Sequence, residues 1–399
     1  MTDAGCPDGG MRSELISTRV MRSGPVAQGT LFIAASAFFA TVFWRHIALS
    51  STDHGPHIRY AKEIGTLSDI TWPHFLYQLL LKAVAPLTGY ERGALLILGL
   101  CYGLLAVVIM REMARAAPTL GPQRTATLTG LLLVASHIYL PSVLVPNIYY
   151  YYLAPIAWHN PTQHLNKLFA ILIYFLFVRL FTEPAATRRR VELACLIVLC
   201  ILSALAKPSF LIAFLPLSAA LVSWRLLTGS APRSWLRDYV LYLALPVVGV
   251  LTIQYLAFYE YSGQQRVMLA PFAVFADPAK FILRLPFNFL FPIVVTMLAW
   301  PVVSRSTRYK LAWGFVGISI ACSVLFVEAG PKLRSGNFLW TGQTGVFLIY
   351  VESLLLVITN RAELAGRRLA LIWTAFGLHV LCGIGYVAAA MLYSDARWR

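Results

Sequence analysis

"WPHFLYQLLLKAVAPL", residues 72–87, decides how this chain is threaded. The segment is apolar enough to be counted as a membrane crossing, and a crossing here would move every later connection to the other side. His74, Gln78 and Lys82 recur every four residues, which puts them on one face of a helix. A polar stripe on so short a segment predicts a helix lying in the membrane interface. The alternative, a full crossing with the polar face turned to the bundle, would invert the later topology.

Composition fixes the setting in which that helix lies. Of 399 residues, 58% are hydrophobic and 13% charged, whereas soluble domains are typically about one-quarter charged. An ordinary soluble protein is thereby excluded. Long apolar windows fall near 27–49, 92–110, 125–145, 165–181, 191–206, 208–226, 239–258, 284–303, 311–327, 342–359 and 369–392, about eleven candidate spans at the length a bilayer requires. The expected fold is an all-α polytopic transmembrane bundle, with amphipathic interfacial helices in the first outer loop.

The net charge of +16 comes from Arg and Lys in short tracts between apolar runs, such as "ATRRRVE" (186–192) and "NRAELAGRR" (360–368). That pattern reads as loops held on the cytoplasmic face, not as a nucleic-acid surface. Every other connection then falls outside: 50–91, 146–164, 206–207, 259–283 and 328–341. Residues 1–26 read as a polar cytoplasmic leader, and 27–399 as a single transmembrane domain whose first helix is a retained anchor. Five cysteines lie inside apolar runs and Cys6 in the leader, without metal-ligand spacing, so they read as packing residues.

Unusual polar residues gather in the outer connections. "STDHGPHIRYAK" (51–62) carries Asp53 and His54 just where the first span leaves the lipid. A carboxylate there is sheltered yet reachable, and can serve as a general base or hold a metal, with His54 tuning it. A helix-capping role for Asp53 is the competing reading. "IAWHNPTQHLNK" (156–167) supplies His159 and Asn160, donors and acceptors suited to sugar hydroxyls or a diphosphate. Four tyrosines, Tyr149 to Tyr152, read first as an aromatic belt. Lys207 stands at a helix–helix corner in "AKPSF" (206–210), and "EAGPKLRSGNFLW" (328–340) adds Glu328, Arg334 and Asn337. Lys207, Arg266 and Arg334 are natural partners for an anionic lipid phosphate. Glu352, in mid-helix, is expected to form a structural ion pair with a neighbouring helix.

Asp53 soon after the first helix, followed by "WPHFLYQLLLKA" with Pro73-His74, resembles the GT-C superfamily of membrane glycosyltransferases. That family includes protein O-mannosyltransferases and aminoarabinose transferases. "WHNPT", "KPSF" and "GNFLW" together are similar to bacterial membrane proteins of glycosyltransferase type. The resemblance implies Asp53 as the catalytic carboxylate, assisted by His54, with His74 among the substrate-binding residues and a lipid-linked sugar as donor. Two departures stand out: the order Pro73-His74 reverses the family's His-Pro element, and residues 146–164 hold no Asp or Glu, so a two-carboxylate divalent-metal site is not supported. The expected activity is transfer of a sugar from a polyprenyl-phosphate donor to an envelope glycan, lipid or protein. The expected location is the outer, periplasmic face of a bacterial inner membrane. A transporter, flippase or polymerase of the same glycans is the alternative, with Glu352, His137 and His379 as candidate mid-helix ionisable groups.

Overall fold

The computed structural model describes residues 9–48, 52–138, 153, 158–182, 189–260, 266–330 and 333–392. Tyr149 to Tyr152 and Cys6 lie outside the described residues. The chain is nearly all helical, and among the described residues seven helices are long and apolar enough to cross a membrane, or eight if one bent pair counts as a span. They are α1 (Gly9–Ile47), α4 (Tyr90–Ala116), α6 (Pro161–Phe181), α8 (Ser209–Leu227), α9 (Ser234–Phe258), α13 (Leu339–Thr359) and α14 (Arg367–Leu392). Three more, α5 (Pro122–Val134), α7 (Arg189–Ala206) and α12 (Thr307–Leu325), fall on expected spans without meeting that test.

Two helices form the middle of the bundle. α6 and α13 are buried nearly throughout, and they carry polar groups that a lipid-facing helix would exclude. Gln163 of α6 donates to Thr344 Oγ1 of α13 at 2.8 Å and to the Trp340 carbonyl at 3.1 Å. On the outside, Leu227 and Met297 are among the large apolar side chains left exposed, as lipid contact requires. α1 lies close against α4 because Gly99 and Gly103, one turn apart, have no side chain to hold it off. A Cβ at Gly99 would come within 2.8 Å of the Ser36 carbonyl, and one at Gly103 would overlap the Ser36 hydroxyl. This is the small-xxx-small geometry by which membrane helices approach one another.

The bent pair is α10 (Pro278–Arg284, continued by one 3-10 turn to Asn288) and α11 (Leu290–Leu298), which meet at 56°. Backbone groups freed at the break find partners in side chains, as they must in a low-dielectric setting. The Phe291 amide donates to His379 Nε2 at 3.1 Å, and the Asn288 carbonyl accepts from the Tyr350 hydroxyl at 2.7 Å. His379, considered above as a mid-helix ionisable group, thus staples a broken helix.

The all-α expectation needs one correction. Strands β1 (Val267–Leu269) and β2 (Phe326–Glu328) pair antiparallel, with Val267 opposite Glu328.

The connection between α1 and α4 folds as α2 (His54–Glu63) and α3 (Leu76–Thr88). With 13 residues, α3 is about 20 Å long, short of the roughly 30 Å of hydrocarbon a span must cover. Its polar stripe turns toward α2 instead of water: Gln78 is buried against His57, and Lys82 donates to the Ile64 carbonyl. His74 lies before the helix begins. The period of four marked a face that packs on protein.

Candidate functional site

Asp53 sits immediately before α2 with φ −74° and ψ −5°, and its side chain makes no capping hydrogen bond. Having already taken helical angles, Asp53 leaves its carboxylate off the first amides of α2. The carboxylate points instead to the connection that precedes α6. Asp53 Oδ2 accepts from Asn160 Nδ2 at 2.7 Å, and the Asp53 amide donates to the His159 carbonyl at 2.8 Å.

Asn160 is held from its other side. Its Oδ1 accepts from the amides of Thr162 at 3.1 Å and Gln163 at 3.3 Å, capping α6, whose first residue is Pro161. This is the Asn-cap, Pro-N1 pattern. With Oδ1 so engaged, Nδ2 must be the atom that faces Asp53. The rigid end of a buried helix therefore positions the carboxylate.

Asp53 and Asn160 line a cavity of about 360 Å³. His57, Lys207, Glu328 and Asn337 are also in its walls, as is His74. Glu328 reaches the site through the β1–β2 pairing and accepts from Asn337 Nδ2 at 2.7 Å. Lys207, 4% exposed, has its Nζ 4.9 Å from the Trp340 ring centroid. Burial pushes its pKa down from 10.5 to about 8, while Asp53 and Glu328 pull it back toward the charged form. Lys207, Asp53 and Glu328 thus face one cavity, with the two carboxylates favouring the charged amine.

A second cavity, about 280 Å³, adjoins the first through Pro73, His74, Lys207, Glu328 and Asn337, which line both. Its own walls are more apolar, with Ile212, Leu251, Tyr255 and Phe338 prominent. Polar chamber and apolar groove meet at Lys207.

His54 does not face this chamber. It is fully buried and its Nε2 donates to the Trp158 carbonyl at 2.9 Å; burial lowers its pKa to about 4 despite Asp53 nearby. His57, one turn after Asp53, takes the place expected for His54. With the Gln78 amide oxygen accepting from His57 Nδ1 at 2.7 Å and from Trp72 Nε1 at 3.3 Å, the His57 proton is fixed on Nδ1 and Nε2 is left as an acceptor. Burial lowers its pKa to about 3, so it stays neutral. Tyr60 and Trp72 stack at 4.6 Å in the cavity wall. Period-four spacing from Asp53 could have singled out His57; nothing local marked Tyr60 or Trp72.

The remaining candidates divide. His159 is half-buried with its ring 4.9 Å from that of Trp340, behind Asn160 instead of in the chamber wall, and burial lowers its pKa. Arg266 and Arg334 are exposed and line neither cavity. Arg266 contributes its carbonyl, which accepts from the Ala329 amide at 2.7 Å. Of the three cations expected to meet a phosphate, Lys207 is the one at the chamber. Among the described residues, no group of three or more His, Cys, Asp or Glu side chains is arranged to hold a metal ion.

No family model, curated protein or solved structure matches this chain at a significant level.

Proposed function

We propose that this chain is a GT-C-like membrane glycosyltransferase that moves a sugar from a polyprenyl-phosphate donor to an acceptor hydroxyl on the outer face of the membrane. The observation that carries the reading is the junction at Lys207 of a polar chamber holding Asp53 with an apolar groove. A lipid-linked sugar has the same division, with its phosphate at the boundary between sugar and chain. In the proposed reaction the acceptor oxygen attacks the anomeric carbon and its proton passes to Asp53. The bond from that carbon to the phosphate oxygen breaks, and the phosphate leaves with the electron pair beside the Lys207 ammonium. Asn160, His57 and Asn337 orient hydroxyls, and the Tyr60–Trp72 pair offers a ring face to the sugar.

The topology that goes with this reading has about eleven spans. The helices α7 and α12 run between the chamber end, at Lys207 and Glu328, and the end where Arg189 and Arg308 lie. The Arg-rich connections then face the cytoplasm and Asp53 faces outward. Cryo-EM with a polyprenyl-phosphate analogue tests the assignment. Phosphate density at Lys207 with the chain in the apolar groove is the expected result, and a ligand bound elsewhere on the bundle refutes it.

A second reading, a transporter for a lipid-linked glycan, draws on the buried polar thread below the chamber. Ser209 links Gln163 at 3.2 Å to Asn166 at 3.1 Å, and Asn166 accepts from Ser203 at 2.8 Å. Counterflow of a fluorescent lipid-linked glycan in proteoliposomes, retained in Asp53→Asn, would favour this reading.

A further inference from the structure

A third cavity, about 510 Å³, lies at the end of the bundle away from Asp53 and has no part in the proposed transfer. Arg308 of α12 is held there between two carboxylates. Its Nη1 is 2.6 Å from Glu112 Oε1 of α4, and its Nε is 2.6 Å from Glu352 Oε2 of α13. The remaining atoms of the Arg308–Glu352 pair are not answered: Arg308 Nη2 and Glu352 Oε1 are both buried without a hydrogen-bond partner in the protein. Both side chains line the cavity, and Glu352 is 2% exposed. A buried donor and a buried acceptor, each unsatisfied and each on a side chain that lines the cavity, favour a ligand that supplies both.

The rim narrows the chemistry. Arg115 pairs with Glu112 at 2.8 Å and Arg305 with Glu363 at 2.9 Å, and both arginines are mostly exposed at the mouth. Three guanidinium groups and three carboxylates therefore surround one space. A simple anion would be opposed by the carboxylates, and a simple cation by the guanidinium groups. A molecule carrying both charges meets each with its opposite. Val302, Leu355 and Leu356 supply an apolar flank. Glu352 lies two turns inside Thr359, the last residue of α13, so the cavity reaches about 10 Å into the bundle. That is deep enough for a headgroup and its glycerol.

We propose that this cavity binds a zwitterionic amino-phosphate, its ammonium on Glu352 and its phosphate on Arg308 and a rim arginine. The same chemistry is available as the headgroup of phosphatidylethanolamine or as soluble phosphoethanolamine. Native mass spectrometry of the full-length purified protein, titrated with phosphatidylethanolamine and with phosphatidylglycerol of the same acyl chains, tests it. The expected result is at least ten-fold tighter retention of phosphatidylethanolamine, lost in Thr359→Trp, which fills the mouth without removing a charge, and weakened in Glu352→Gln. Soluble phosphoethanolamine that competes at equal concentration identifies the soluble source, and failure to compete identifies the lipid. Equal retention of the two lipids, or a preference that survives Thr359→Trp, overturns the proposal.

Discussion

Replacing Asp53 with asparagine separates chemistry from architecture at this site. The side chain makes no cap bond to α2, so no capping energy is at stake. What changes is the bond from Asn160 Nδ2 at 2.7 Å, from a charge-assisted pair worth about 1.5–3 kcal/mol to a neutral one worth about 0.5–1.5 kcal/mol. The expected stability loss is therefore about 1 kcal/mol, and the Asn160 cap on α6 is untouched. The catalytic loss is larger, because a positioned base contributes on the order of 10²–10⁴ in rate, or about 2.7–5.5 kcal/mol of barrier. The assay is the initial rate of polyprenyl-phosphate release from a lipid-linked sugar, measured beside the melting temperature in detergent. Asp53→Asn should melt within a few degrees of wild type and turn over at least 100-fold more slowly. A well-folded variant within three-fold of the wild-type rate refutes Asp53 as the base, and a variant that fails to fold refutes the architectural account of its side chain.

Lys207 gives a pH signature. Its folded pKa of about 8 lies below the ordinary 10.5, so between those values the unfolded chain holds more protons and stability rises with pH. The burden at pH 7 is on the order of 3 kcal/mol, and Lys207→Met should remove both the burden and the rise while abolishing donor binding; a wild-type melting temperature flat from pH 8 to 10.5 would contradict this. At the opposite end, Arg308→Met strands the buried Glu352, while Glu112 keeps Arg115, and should cost about 3–5 kcal/mol, read by denaturation in detergent. Removing the exposed Lys62–Glu91 pair should cost less than about 1 kcal/mol, and equal losses would show that burial is not what makes the Arg308 cluster matter. Single cysteines at Ser68 and Thr88, in a cysteine-free background, should label from the same outer side of the membrane, and labelling from opposite sides would make residues 72–87 a crossing.

Much of this was legible in the residues themselves. Apolar run length and the placement of arginines identified a membrane bundle, because in lipid a backbone must satisfy its own hydrogen bonds within a long helix. Asp53 stood out as a carboxylate at a span's exit. What lay beyond sequence was direction and partnership. His54 turns into the core and His57 into the chamber because Asp53 already has helical angles: His57, four residues on, comes back to within about 40° of Asp53, whereas His54, one residue on, is rotated by about 100°. Lys82 and Gln78 marked a polar face, but only packing against α2 decided that protein, not water, covers it. Glu352 was expected to have a structural partner, yet that Arg308 is the one, with Glu112 as the third member, depends on three helices distant in sequence meeting in space. Glu328 reaches the chamber through pairing with a strand some sixty residues earlier, and Arg334, six residues on, remains exposed. Local chemistry determines which residues form helices and which are polar; the tertiary fold decides which polar atoms share a cavity, because that depends on long-range packing with no local signature.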